Sequence, residues 1–355
     1  MFSPVKFRPC FQLRKLMTNA YMGVDEFLNY RNIARANVED FHKVNKNLQN
    51  VYISKGSKYI SRTDFIQMLD YAETQDDMTL LSKIIVDVCN HKYSRKDFLD
   101  NTIGLFVTAC VHFNDLDSAK IVKDAYSDKF NMTGGKFLKR FYHLNYVAGN
   151  YQVIVDDFEA WLERNEDRPH DDIKAYYVAS LYKIGTKEAY DKVGKNRNFS
   201  STFYNMPRYI YATFAIEQND WEEADFTLSR KLGVNEFIAD IHMLRLYLLF
   251  KQGKISQAVG HLEYWLKSAP RKISCLFSFE MMEKLSEAVK ETKNEDLIQT
   301  FTNLCVELEE RATMVEMSVF EIVTQPKNSA SPFDTPNKNK DLLKGYKIHG
   351  KSVLY

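Results

Sequence analysis

Along the 355-residue chain, apolar side chains return at three and four positions rather than at two. Phe65, Met68, Leu69 and Ala72 keep this spacing, as do Ile255, Ala258, Val259, Leu262 and Leu266, and again Phe277, Met281, Leu285 and Ala288. Such a period lays one apolar stripe along one side of a 3.6-residue helix. Strand-like alternation is nowhere sustained, and no proline interrupts the run from Pro9 to Pro169. The pattern predicts an all-α chain.

The breaks between helical stretches are themselves periodic. They fall at Asp76, Asp115, Asn150, Gly185, Asn219, Gly253 and Asn294, at intervals of 39, 35, 35, 34, 34 and 41 residues. A helix–turn–helix unit of that length underlies tetratricopeptide and pentatricopeptide arrays. The fold expected is a right-handed α-α superhelical solenoid of about seven degenerate repeats. The corners "VAGNYQVI", "YKIGTKEAY", "IEQNDWEEA" and "FKQGKISQA" are versions of one sequence. Asn or Gly can take the left-handed conformation that closes a first helix, and Asn, Asp or Thr can cap the next. Ala119, Ala189, Ala224 and Ala258 recur just beyond the corners, where two helices approach closely.

Both ends depart from this pattern. Residues 1–24 carry Lys6, Arg8, Arg14 and Lys15 with no acid before Asp25, and Leu13, Leu16, Met17 and Ala20 keep helical spacing. A basic amphipathic start of this kind predicts a mitochondrial transit peptide. Residues 25–57 read as a helical lead-in that caps the array of residues 58–324. Residues 325–355 open with Pro326, Pro332 and Pro336 among small polar residues and predict a flexible tail.

Composition narrows the chemistry. With 48 basic and 47 acidic side chains the formal charge is +1, so attraction to a polyanion must come from uneven placement. The stretch "GGKFLKRFYHLNYVAGNYQVIVDDF" shows such placement. On its helix, Phe137, Phe141, Leu144 and Ala148 form an apolar seam. Lys136, Lys139, Arg140 and His143 form a strip about 110° away. The next helix offers Asp156, Asp157, Glu159 and Glu163. Basic residues Arg62, Lys174, Arg208 and Arg245 also stand in first helices, whereas "NDWEEADF" and "TKNEDLIQTFTNLCVELEE" make second helices acidic. Segregation of this kind predicts one positive face fit for phosphates. Tyr142 and Tyr146, with Tyr176, Tyr177, Tyr204 and Tyr209, are candidates to stack on exposed bases or to pack between repeats. Taken singly, each charged residue is equally readable as an ordinary solvated position.

Other chemistries lack their motifs. Phe130 and Phe137 stand where a P-loop needs Gly and Ser or Thr, and GxGxxG is absent. The eight histidines show neither HExxH nor HxH spacing, and the five cysteines form no CxxC pair. No GxSxG context occurs. The pairs Asp76-Asp77, Asp156-Asp157 and Asp171-Asp172 suit helix starts or exposed faces. The expectation is a non-enzyme without cofactor or metal. Apolar runs such as "LRLYLLF" fall short of the roughly 20 residues of a membrane span.

The layout of "YISRTDFIQMLDYAETQDDMTLLSKIIVDVCNHKYSRKDF", "NTIGLFVTACVHFNDLDSAKIV" and "FLKRFYHLNYVAGNYQVIVDDFEAWL", across roughly residues 27–324, resembles the mitochondrial pentatricopeptide repeat domain-containing protein 2 family of animals. The resemblance implies a mitochondrial matrix protein that binds single-stranded mitochondrial RNA in the maturation of respiratory-chain transcripts. In pentatricopeptide proteins the first helices line a groove and read single bases. The degenerate repeats here carry no residue-by-residue base code. "GKISQAVGHLEYWLKSAP" fits a tetratricopeptide second helix nearly as well, which leaves a protein-binding scaffold as the alternative, for example a component of the mitochondrial ribosome.

Overall fold

Each apolar stripe becomes the buried side of a helix. In the computed structural model the described residues are 22–90, 96–127, 135–164, 171–195, 205–229, 239–268 and 276–324. All lie in the first of the chain's two units, Met1–Gln325; the second is Pro326–Tyr355. The transit-peptide segment up to residue 21, the tail 325–355, Cys10 and Cys275 are outside the described residues.

A lead-in of α1 (Val24–Ala36) and α2 (Phe41–Lys55) ends in a 3-10 turn at Ser57–Tyr59. Helices then follow in pairs: α3 (Arg62–Tyr71) with α4 (Gln75–Asn90), α5 (Lys96–Phe113) with α6 (Leu116–Ser127), and α7 (Gly135–Val147) with α8 (Tyr151–Arg164). Next come α9 (Asp171–Ile184) with α10 (Lys187–Lys195), α11 (Asn205–Glu217) with α12 (Trp221–Ser229), and α13 (Ala239–Lys251) with α14 (Ile255–Ser268). The last pair is α15 (Phe279–Glu291) with α16 (Glu295–Arg311), followed by the short α17 (Val319–Val323). First helices pack on first helices in an unbroken row, α3 on α5, α5 on α7, α7 on α9, α9 on α11 and α11 on α13. The chain is therefore all-helical, as its periodicity predicts.

One corner recurs between partners. Asn114, Gly149, Gly185, Asn219 and Gly253 take positive φ angles of 52°, 78°, 73°, 58° and 70°. The N–H that follows reaches back five residues at four of these corners: Asp115 to Cys110 O at 2.9 Å, Asn150 to Asn145 O at 2.8 Å, Asp220 to Ala215 O at 2.9 Å and Lys254 to Leu249 O at 3.0 Å. That bond satisfies a carbonyl the helix end would leave orphaned. The next helix is capped from the same corner, Asp115 Oδ1 accepting from Ser118 N, Thr186 Oγ1 from Ala189 N and Asp220 Oδ1 from Glu223 N. Closure and restart thus share a few residues. Ala119, Ala189, Ala224 and Ala258 are buried behind these corners.

Three details depart from the sequence reading. Asp76 lies within α4, and the first corner is Ala72–Thr74, where Asp77 Oδ2 accepts from Glu73 N and Thr74 N. Lys293 holds the left-handed position of the last pair at φ 55°, where Asn or Gly was expected. Two strands of three residues, β1 (Leu276–Ser278) and β2 (Thr313–Val315), pair in parallel with Leu276 opposite Thr313. Three residues are too few for alternation to register in a sequence.

The corners are open to test. No neighbour stands within 4 Å of where a Cβ on Gly253 would lie, so Gly253→Ala should act through the backbone alone. We expect a loss of about 1–2 kcal/mol in urea unfolding, and a gain of about 0.5–1 kcal/mol for Lys293→Gly.

Candidate nucleic-acid interface

Helix α7 exposes less charge than its sequence suggests. The side chain of Lys136 is outside the described residues. Lys139 Nζ pairs with Asp172 Oδ2 of α9 at 3.4 Å, both side chains largely covered. Arg140 turns the other way and donates from Nε to Met22 O at 2.8 Å, tying α7 to the start of the lead-in. Burial lowers its pKa, with Glu26 opposing. His143 Nδ1 shares a 3.0 Å hydrogen bond with Tyr176 OH of α9. The expected strip is divided among neighbouring helices instead of facing one ligand.

Lys174, Arg208 and Arg245 are structural as well. Lys174 is 4% exposed and Arg208 6%. Arg208 of α11 donates from Nε to Thr227 O at 2.6 Å, and Arg245 of α13 donates to Leu228 O at 3.4 Å. Both carbonyls belong to the last turn of α12, so two arginines from flanking first helices satisfy its end and match the negative pole of its dipole. Arg311 makes the same kind of bond to Leu266 O at the end of α14. At the end of α3, Arg31 and Arg35 donate to Asp70 O at 3.1 and 3.0 Å. Both also reach Ala72 O. Sequence cannot distinguish such an arginine from a phosphate-binding one, because the carbonyl it meets carries no side-chain signature.

Carboxylates bind phenols and ammonium groups of their own or a neighbouring helix pair. Asp157 accepts from Tyr142 OH at 3.0 Å and pairs with Lys123. Glu159 accepts from Tyr177 OH at 3.0 Å and from Lys192 at 3.2 Å. Glu217 takes Tyr247 OH and Lys251. Tyr142 is fully buried and offers no stacking face. Tyr146 is half-buried, edge-on to Tyr151 at 5.1 Å and tilted against Tyr176 at 5.9 Å. Its hydroxyl, enclosed and without a hydrogen-bond partner, has a pKa raised chiefly by burial, with smaller effects of Tyr151, Tyr182 and Glu321. Helix α17 packs on α11 and α13, and its Phe320 stacks on Tyr182 of α9 at 3.9 Å. Part of the first-helix surface is therefore occupied by the chain itself.

Free positive charge is found on the lead-in and at the first residue of α3. Between Asp40 and Asp64 no acid occurs, while Lys43, Lys46, Lys55, Lys58 and Arg62 do. All five are exposed, and none has an ion pair among the described residues. On α2, Lys43, Lys46, Asn47, Asn50, Ile53 and Ser54 share an arc of about 120° at about 100° per residue. Leu48, Val51 and Tyr52 turn toward the core. Tyr59 is 55% exposed, with Lys58 Nζ 5.0 Å from its ring centre. Neighbouring acids lie at the edges: Glu73 pairs with His42, Asp77 accepts from Gln49 and Asp87 from Tyr52. The acid-free run is legible in the sequence, but its exposure is not.

Comparison with family models, with curated proteins and with solved structures yields no match. Geometry and charge are therefore the guides to this chain's chemistry. Among the described residues no group of three or more His, Cys, Asp or Glu side chains is placed to hold a metal ion. No helix among them is long and apolar enough to cross a membrane. His242 and His261 stack at 5.4 Å, and burial, then His261 and Arg245, push His242 down to about 4. Cys89, Cys110 and Cys305 are free thiols in the interior.

Two outcomes test the structural role of these charges. Arg208→Met leaves Thr227 O without its donor and should lower stability by about 2 kcal/mol in urea unfolding, whereas Lys46→Met should leave it unchanged. Asp70 is a half-buried acid whose neighbouring arginines bind its backbone carbonyl, so burial dominates and raises its pKa from 3.8 to about 6. Between those values the folded chain holds a proton that the unfolded chain has released, and stability declines as pH rises. Asp70→Asn should remove that decline and be more stable at pH 7.5, on the order of 2 kcal/mol.

Proposed function

We propose that the chain is a non-enzymatic RNA-binding protein of the mitochondrial matrix, built as a right-handed superhelical solenoid of about seven degenerate helix–turn–helix repeats. The observation that carries this reading is the recurrence of one left-handed corner at Asn114, Gly149, Gly185, Asn219 and Gly253, spaced 35, 36, 34 and 34 residues apart. Contacts at the same separation support it: Lys123 with Asp157, Lys192 with Glu159, Lys251 with Glu217 and Gln218 with Gly185 O. Units of that length, stacked first helix on first helix, suit an extended single strand. The pentatricopeptide resemblance points to maturation, processing or stability of respiratory-chain transcripts.

Matrix localisation rests on the acid-free basic start. Met22 and Val24 are fully buried, and Met22 O holds Arg140. We place the end of the leader before Met22 rather than after residue 24, because removal of Met22 would leave the Arg140 guanidinium without that acceptor.

A second reading, a protein-binding scaffold such as a mitochondrial ribosomal or assembly component, is favoured by exposed apolar residues on second helices. Ile121, Val153, Phe226, Tyr264 and Val306 stand on α6, α8, α12, α14 and α16. Salt dependence separates the two. The purified chain should bind single-stranded mitochondrial RNA, with log affinity falling linearly with log salt by about 0.7 for each phosphate contacted. An absence of binding at low salt would exclude the RNA reading.

A further inference from the structure

We infer that the exposed side of α2 and the turn after it, Lys43 to Arg62, is a docking surface for the phosphate backbone of single-stranded RNA. The inference rests on the RNA-binding reading and adds a place that reading does not supply.

Charge complementarity selects a polyanion. Among the described side chains of α7, α11 and α13, Lys139 is engaged by Asp172, Arg140 by Met22 O, Arg208 by Thr227 O and Arg245 by Leu228 O. Lys43, Lys46, Lys55, Lys58 and Arg62 carry no such partner among the described residues and have no acid in the intervening sequence. A cation with no internal acceptor can neutralise a phosphate without breaking a contact of the fold, and the counterions it releases supply affinity.

Shape and chemistry select a single strand. From Lys43 to Ser54 the face runs about 16 Å at 1.5 Å per residue, with the Asn47 and Asn50 amides exposed among the lysines. At its end Tyr59 offers an open ring beside the Lys58 ammonium, the pairing of aromatic face and cation on which an unstacked base can lie. A lipid surface needs an apolar helix face turned outward. Here Leu48, Val51 and Tyr52 pack toward the core and α2 lies on α3, which leaves Ile53, 72% exposed, as an isolated apolar contact.

The test uses the purified full chain and a fluorescein-labelled single-stranded oligoribonucleotide, followed by anisotropy at several salt concentrations. Lys43→Glu/Lys46→Glu/Lys58→Glu should weaken binding at least about tenfold and reduce the salt slope by about 2, since three phosphate contacts contribute roughly 0.7 each. Replacing the same three lysines with arginine should preserve both. Tyr59→Ala should weaken binding about 5- to 100-fold at an unchanged slope. Lys254→Glu, an exposed lysine on another corner, should change neither. Unfolding midpoints of all variants should match the wild type, because none of the replaced side chains closes a contact of the core. Wild-type binding with an unaffected triple variant would overturn the assignment of this surface and leave the RNA reading standing. No RNA binding by the wild type at low salt would overturn both. In that case, co-sedimentation with phosphatidylcholine vesicles containing phosphatidylserine, abolished in the triple variant, would reassign the face to an anionic membrane.

Discussion

A helix that ends inside a protein leaves carbonyls without donors, and the whole arrangement depends on how this chain supplies them. At the recurring corner a left-handed residue turns the backbone so that the next N–H bonds back five residues, as Asp220 does to Ala215 O. The same few residues then cap the following helix, Asp220 Oδ1 accepting from Glu223 N. Closure and restart thus share one short segment, and from α3 to α13 each first helix meets the next along the row. The small residues Ala119, Ala224 and Ala258 behind the corners permit that approach.

Where no backbone N–H is available, arginines do the same work. Arg208 and Arg245 converge on the last turn of α12, Arg31 and Arg35 on that of α3, and Arg311 on that of α14. A guanidinium suits this task because its rigid fork of donors can reach several carbonyls while its charge opposes the helix dipole. The consequence for function is direct. A basic side chain that satisfies a helix end is withdrawn from solvent and from any ligand. Carboxylates such as Asp157 and Glu159 likewise hold neighbouring helices through Tyr142, Lys123, Tyr177 and Lys192.

The surface that remains accessible is decided by two elements at opposite ends of the described chain. Helix α17 lies on α11 and α13 and stacks Phe320 on Tyr182, covering part of the first-helix surface. Helix α2, which makes no corner of the recurring kind, keeps a face of unpaired lysines beside an exposed tyrosine. The exposed, unpaired lysines described above therefore lie on α2 and the turn after it.

Periodic apolar spacing and the chemistry of Asn, Gly, Asp and Thr were sufficient to determine the helices, the corners and their interval, because these are local: a 3.6-residue stripe and a left-handed turn need only their own neighbours in sequence. The first corner differs from this reading, since Asp77 accepts from Glu73 N and Thr74 N ahead of Asp76, and Lys293 rather than Asn or Gly takes the left-handed position of the last pair. The candidate site was far less legible. Lys139, Arg140, Lys174, Arg208 and Arg245 have the composition and spacing of a phosphate-binding strip, and only the tertiary structure shows them buried or bound to carbonyls and carboxylates of other helices. Charge is a property of a residue, but availability of that charge is a property of everything packed around it, and that was decided between helices distant in sequence.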